Sequence, residues 1–197
     1  AMFVTNVNYQ YATLTGDQLF PSVSRSHLSA GFNNVVYMAM LDFRFSKTNT
    51  LRAMLRSNTD TPSVTQLQDV LDVSNPLFIS QGNPDLRPVY SHNLSLRYVN
   101  ANVTKGRTFM AAVSGSTQSN HISNAVERAD RPGYEVKDAE GNTVIVLDQG
   151  AQYSRPVNLN GYWNVNGVLS YGLPVRWLAS NVNFNVRASY TAMPTIY

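Results

Sequence analysis

"VNFNVRASY", residues 182–190, alternates without a fault: Val182, Phe184, Val186, Ala188 and Tyr190 stand against Asn183, Asn185, Arg187 and Ser189. Successive side chains of an extended strand point to opposite faces, so this segment has one apolar face and one polar face only as a strand. The same two-residue period appears in five further places. Val35, Tyr37, Ala39, Leu41, Phe43 and Phe45 face away from Asp42, Arg44 and Ser46; Leu51, Ala53 and Leu55 face away from Arg52 and Arg56, with Met54 interrupting the polar side. Leu94, Leu96 and Tyr98 oppose Asn93, Ser95 and Arg97. Phe109, Ala111 and Val113 oppose Thr108, Ser114 and Ser116, with Met110 and Ala112 as imperfections, and Trp163, Val165, Leu169 and Tyr171 oppose Asn164, Asn166 and Ser170. A weaker run around Phe3 to Ala12 brings the expectation to about seven long strands.

Most of these runs are expected to exceed the roughly five or six residues of an ordinary strand. At about 3.3 Å per residue, roughly nine to eleven tilted residues cross a hydrocarbon layer. The connections alternate in length as well. Ser46–Asn49, Asn100–Gly106 and Gly172–Arg176 are short, whereas Gly16–Gly31, Thr59–Arg87 and Gln118–Pro156 are long. Tight turns at one end and long loops at the other are the asymmetry of a transmembrane β-barrel. Within the longest loop, Tyr134 to Asp148 reads as an outward hairpin around "DAEGN". Within the middle loop, Thr61 as N-cap, Pro62 at the first helical position and Val64, Leu67, Val70 and Leu71 on one side predict a short helix.

Composition narrows the partners. Charged residues make up 14% of the 197, the formal net charge is +3, and cysteine is absent. A roughly average soluble chain carries about 25% charged residues. No run of like charge suggests nucleic acid as a partner, and no disulfide or thiolate metal site can form. No apolar run approaches the roughly 18 residues of a membrane-crossing helix, and the N-terminus lacks a signal peptide, so an exported protein is expected to appear here as a mature piece. Alternation alone also fits a soluble β-sandwich, a binding module for carbohydrate or protein in which Phe43 and Phe184 share a dry core. The polar faces favour the barrel: they carry Asn, Ser, Thr and Arg rather than Lys and Glu, while aromatics such as Tyr37, Phe43, Tyr98, Trp163, Tyr171 and Tyr190 sit near strand ends.

"GNPDLRPVYSHNLSLRY", residues 82–98, with Gly82, Asn83, Pro84, Leu86 and Pro88 in order, resembles a segment of TonB-dependent outer-membrane receptors, especially those of the Bacteroidetes type. "RSNTDTPSVTQLQDVLDVSNPL", residues 56–77, resembles the segment that precedes it in that family. Val89 departs from the pattern, which has Glu there. The resemblance implies a twenty-two-stranded barrel with an N-terminal plug that contacts TonB, placed in the outer membrane of a Gram-negative bacterium, with a scarce nutrient as ligand. With about seven strands, no plug and no candidate TonB box, the chain is expected to be a segment of a larger all-β, antiparallel barrel, in contact with outer-membrane lipid.

Arg44, Arg52, Arg56, Arg97 and Arg187 all fall on polar faces, which would line the barrel interior; they can attract an anionic ligand or a plug, or pair with Asp42. His27, His92 and His121 are too scattered to suggest a metal. Asp60, Asp69, Asp72 and Asp85 read as solvated loop acids. No nucleophile elbow or phosphate-binding loop is evident, so neither enzyme activity nor a cofactor is expected.

Overall fold

The computed structural model describes residues 1–17, 27–102, 104–138 and 141–196. Its strands are β1 (Met2–Asp17), β2 (His27–Arg44), β3 (Asn49–Asp60), β4 (Leu71–Asp72), β5 (Phe78–Gln81), β6 (Val89–Asn102), β7 (Arg107–Ser119), β8 (His121–Arg128), β9 (Tyr134–Lys137), β10 (Thr143–Leu147), β11 (Gln152–Leu159), β12 (Tyr162–Val175) and β13 (Ser180–Ala192). One helical turn, α1 (Val64–Leu67), lies between β3 and β4.

Seven strands form a single antiparallel sheet in the order β1-β2-β3-β6-β7-β12-β13. They are the seven alternating segments of the sequence, and they run from 12 to 18 residues. Because a slip of one residue would exchange the faces, the register must match the alternation in every pair. It does. Phe3, Leu41, Ala53, Leu96, Val113, Gly167 and Ala188 form one row across all seven strands, and the adjoining row on the other face reads Met2, Asp42, Arg52, Arg97, Ala112, Val168 and Arg187. β1 and β13 are the two edges of this open sheet.

Among the described residues, none packs over the apolar face. Phe43 is 37% exposed and Phe184 60% exposed, along with Val35, Leu94, Leu96, Val113 and Leu169. The sandwich reading requires Phe43 and Phe184 to share a dry core, and their exposure overturns it. The protein's soluble-type core lies elsewhere, in a small cap built from the two long insertions. A four-stranded sheet, β4-β5-β11-β8, packs with the β9/β10 hairpin. Ile79, Ala129, Val136, Leu147, Ala151 and Tyr153 are buried between them.

The three short connections, from β2 to β3, β6 to β7 and β12 to β13, lie at one end of the sheet. The longer connections lie at the other end, where the cap sits. Several boundaries differ from expectation. The first long loop is shorter than Gly16–Gly31, because β1 continues to Asp17 and β2 begins at His27; residues 18–26 lie outside the described residues. The last short turn falls at Arg176–Leu178, closed by Ala179 at φ 48, rather than at Gly172–Arg176. Pro174 is accommodated inside β12 because β7 pairs only as far as Gly172, so no neighbour on that side asks for its missing N–H.

The expected helix forms one turn, and its N-cap is Ser63 rather than Thr61. Ser63 Oγ accepts from the Gln66 amide at 3.3 Å while Gln66 Oε1 accepts from the Ser63 amide at 2.9 Å, a reciprocal capping box. Pro62 precedes the cap and Leu71 belongs to β4, so only Val64 and Leu67 of the expected apolar side are helical. The hairpin forms as expected, with Glu135 opposite Val146 and Tyr134 opposite Leu147. It does not stand free, since Val136 and Leu147 are buried in the cap core. Of its turn, Ala139 and Glu140 lie outside the described residues, as does Val103 in the turn after β6.

Candidate functional site

All five arginines singled out in the sequence lie on the polar face. Arg52 sits directly opposite Asp42 on one side and Arg97 on the other. Two of its guanidinium nitrogens donate to Asp42 Oδ2, Nη2 at 2.8 Å and Nε at 3.2 Å. Arg44 Nε stands 3.8 Å from the other carboxylate oxygen. Asp42 is nearly buried beneath them. A cavity of about 720 Å³ opens here, lined by Asp42, Arg44, Lys47, Arg52 and Arg97 among others. Arg187 shares the row of Arg97 but three strands away, across Ala112 and Val168, and Arg56 lies opposite Met38 and Asn93, nearer the cap. The structure therefore joins Arg44, Arg52 and Arg97 and leaves the other two apart. Lys47 carries no mark in the alternation; its place in the tight turn, one residue beyond the polar-face Ser46, was the available signal.

The Gly82–Pro88 segment is a clasp. Gly82 is buried, and a Cβ there would stand 2.0 Å from the Gln68 carbonyl oxygen and 2.9 Å from that of Gln66. Only glycine allows this approach. The Asn83 amide then donates to Gln66 O at 2.6 Å, its side-chain Nδ2 donates to Pro156 O at 2.9 Å, and its Oδ1 accepts from the Asp85 amide at 3.1 Å. Leu86 is buried. Asn158 closes the clasp from the other insertion: its Oδ1 accepts from the Arg87 amide at 2.7 Å and its Nδ2 donates to Arg87 O at 3.0 Å and Asn120 O at 2.8 Å. Asn120 Nδ2 in turn donates to Pro88 O at 3.5 Å. Pro84 is exposed at the bend, and Val89, where the resembled pattern has Glu, is buried at the first residue of β6. Nothing local in the sequence marks Asn158, because its partner lies 71 residues away.

Aromatic residues divide the apolar face into bands. Toward the cap stand Tyr9, Tyr37, Tyr90, Trp163 and Tyr190; toward the short turns stand Phe43, Tyr98, Phe109, Tyr171 and Phe184. Tyr90 to Tyr98 and Trp163 to Tyr171 each span eight residues, roughly 26 Å along the strand. A tilt of about 40° makes this roughly 20 Å along the normal, close to the apolar height of a membrane barrel. His92 belongs to the upper band: its Nδ1 shares a hydrogen bond with Tyr37 Oη at 2.9 Å, and its ring meets Tyr90 edge-on. His121 stacks on Tyr162 and bonds Gln118 Oε1 at 2.6 Å. The side chain of His27 lies outside the described residues.

The loop acids are tied into the cap separately. Asp69 Oδ1 accepts from Gln81 Nε2 at 2.6 Å. Asp72 Oδ1 accepts from the Ser74 amide at 3.0 Å, and hydrogen bonds from Ser74 hold its carboxyl below the usual range. Tyr153 donates to Gln81 Oε1 at 2.6 Å, and burial raises its phenol above the usual value. Among the described residues, no three His, Cys, Asp or Glu side chains are grouped to hold a metal ion.

A family model described as the outer membrane protein beta-barrel family matches residues 5–195. Among solved structures, the chain is similar to the hemophore receptor HasR of Serratia marcescens, solved as a double mutant in complex with its hemophore HasA and heme. The identity is 12%, the TM-score 0.49, and the match covers 98% of this chain. The chain spans 30% of that receptor's length. Comparison with curated proteins finds no match.

Proposed function

The chain belongs to the outer membrane protein β-barrel family, and from that premise we propose that its sheet is part of the wall of a TonB-dependent receptor that carries a scarce nutrient inward. Localisation in the Gram-negative outer membrane follows from the family. The observation that carries the proposal is the two-faced sheet of long strands, apolar and aromatic-banded outside, polar and arginine-bearing inside, with clasped insertions at one end. The apolar face meets lipid. The Gly82–Pro88 clasp, in the segment resembling such receptors, supports the finer assignment to them and to the Bacteroidetes type.

In this reading the seven strands are one portion of a larger barrel, because the unpaired edges of β1 and β13 cannot face hydrocarbon without stranding backbone N–H and C=O groups. The cap stands outside the cell, where loops on a rigid scaffold contact the incoming nutrient. A plug from elsewhere in the receptor fills the interior and couples to TonB. This role needs no catalysed reaction. The test compares nutrient depletion from medium by the parent strain and by a strain lacking the gene. The proposal expects at least one compound whose uptake requires both the gene and an energised TonB system; identical depletion profiles would sink it.

A further inference from the structure

We infer that the polar face carries an oxyanion site between Arg52 and Arg97, at the short-turn end of the sheet, that binds a carboxylate or phosphate group. The inference needs the barrel, which the family establishes, and does not depend on the uptake reading.

Arg52 and Arg97 are directly opposed on neighbouring strands. Opposed residues place their Cβ atoms roughly 4.5–5.5 Å apart, and like charges so placed repel. Arg44 and Lys47 line the same cavity of about 720 Å³ and add two further positive charges. Among the residues lining it, Asp42 is the sole carboxylate, and it is already engaged by Arg52 and Arg44. Four cations against one anion leave a local charge of +3. Arg97 has no hydrogen bond or ion pair with any described residue. The exposed guanidinium of Arg97, beside the Arg52 guanidinium that Asp42 engages through Nε and Nη2, suits an oxyanion, which removes the repulsion and takes several charge-assisted hydrogen bonds at once. Inside a barrel, walls of low dielectric make that attraction stronger than on an open surface.

The oxyanion has two candidate sources: a free anion from solution, or a carboxylate side chain of polypeptide lying inside the barrel. Both use the same chemistry, and one experiment separates them. The full-length protein is purified from outer membranes in detergent. Its thermal unfolding is followed in chloride while inorganic phosphate or citrate is titrated, for the natural sequence and for Arg97→Gln, Arg44→Gln and, as a control outside the cavity, Arg56→Gln. A free anion gives saturable stabilisation that weakens roughly tenfold or more in Arg97→Gln, as expected for losing charge-assisted hydrogen bonds, and is kept in Arg56→Gln. A resident carboxylate gives no response to added anion, but Arg97→Gln lowers the unfolding temperature and Arg97→Glu lowers it further, while Arg97→Lys restores most of the loss. The inference is overturned if Arg97→Gln leaves the unfolding temperature unchanged or raises it and no anion stabilises the natural sequence, since relief of bare repulsion predicts that sign.

Discussion

Replacing Gly82 by Ala puts a methyl group into the centre of the clasp. The new Cβ would stand 2.0 Å from Gln68 O, 2.8 Å from Gln68 C and 2.9 Å from Gln66 O. All three are backbone atoms, so no flexible side chain can yield. Relief requires the chain at Gly82 to move by more than about 1 Å, which breaks the Asn83 amide bond to Gln66 O and strains the one from Asn83 Nδ2 to Pro156 O. Overpacking costs about 1–3 kcal/mol and each lost hydrogen bond about 1 kcal/mol, so the local penalty is about 2–5 kcal/mol. The cap has its own core, separate from the wall, and should absorb this alone. Hydrogen exchange measures it: a penalty of about 3 kcal/mol speeds exchange of cap amides that open locally by roughly a hundredfold. Amides of β4, β5 and β11 should show it, while those of β6 beyond Leu94 keep their protection. Unchanged exchange in the cap, or equal loosening of the wall, would refute the clasp.

Other consequences can be measured separately. Leu94→Arg places a charge between the aromatic bands and should cost about 2–4 kcal/mol, whereas Ser95→Arg, one residue along and facing the polar side, should cost little; reversible unfolding into lipid vesicles compares them. Leu67→Ala, at a side chain only 1% exposed, should destabilise the cap by about 2–5 kcal/mol, seen as faster protease nicking between β3 and β6. Tyr153 is favoured as the neutral phenol in the folded cap because burial raises its pKa above the ordinary 10.0. Its contribution is therefore intact below about pH 10 and is lost as pH rises through the raised value; cap exchange should accelerate there in the natural sequence, and less so in Tyr153→Phe.

The wall was legible in the sequence because its physics is local. Each strand of the wall shows its two faces in its own residues, and Val182 to Tyr190 needs no partner to be read. Met54, Met110 and Ala112 blurred the pattern without changing it, since register with neighbouring strands keeps their rows on the polar side. The cap was not legible for the opposite reason. β4 has two residues and β5 four, and β5 pairs in parallel with β11 across more than seventy residues, so no periodicity announces either. β8 lies inside the stretch read as a loop, Gln118–Pro156, and β11 begins inside it and runs on through Pro156 to Leu159. The helix start was misread at Thr61 although the capping-box spacing of Ser63 and Gln66 was present. At the polar face, the arginines were visible one by one, but the opposition of Arg52 and Arg97 depends on the β3/β6 register, which a sequence does not display.

The central claim is that one face of this sheet meets lipid and the other water. The chain contains no cysteine, so single substitutions to Cys at each position from Asn93 to Tyr98 can be labelled in outer membranes with an environment-sensitive probe. The account predicts strict alternation: probes at Leu94, Leu96 and Tyr98 are quenched by lipid-dissolved quenchers, and probes at Asn93, Ser95 and Arg97 by water-soluble ones. Equal access of either quencher to both sets would contradict it.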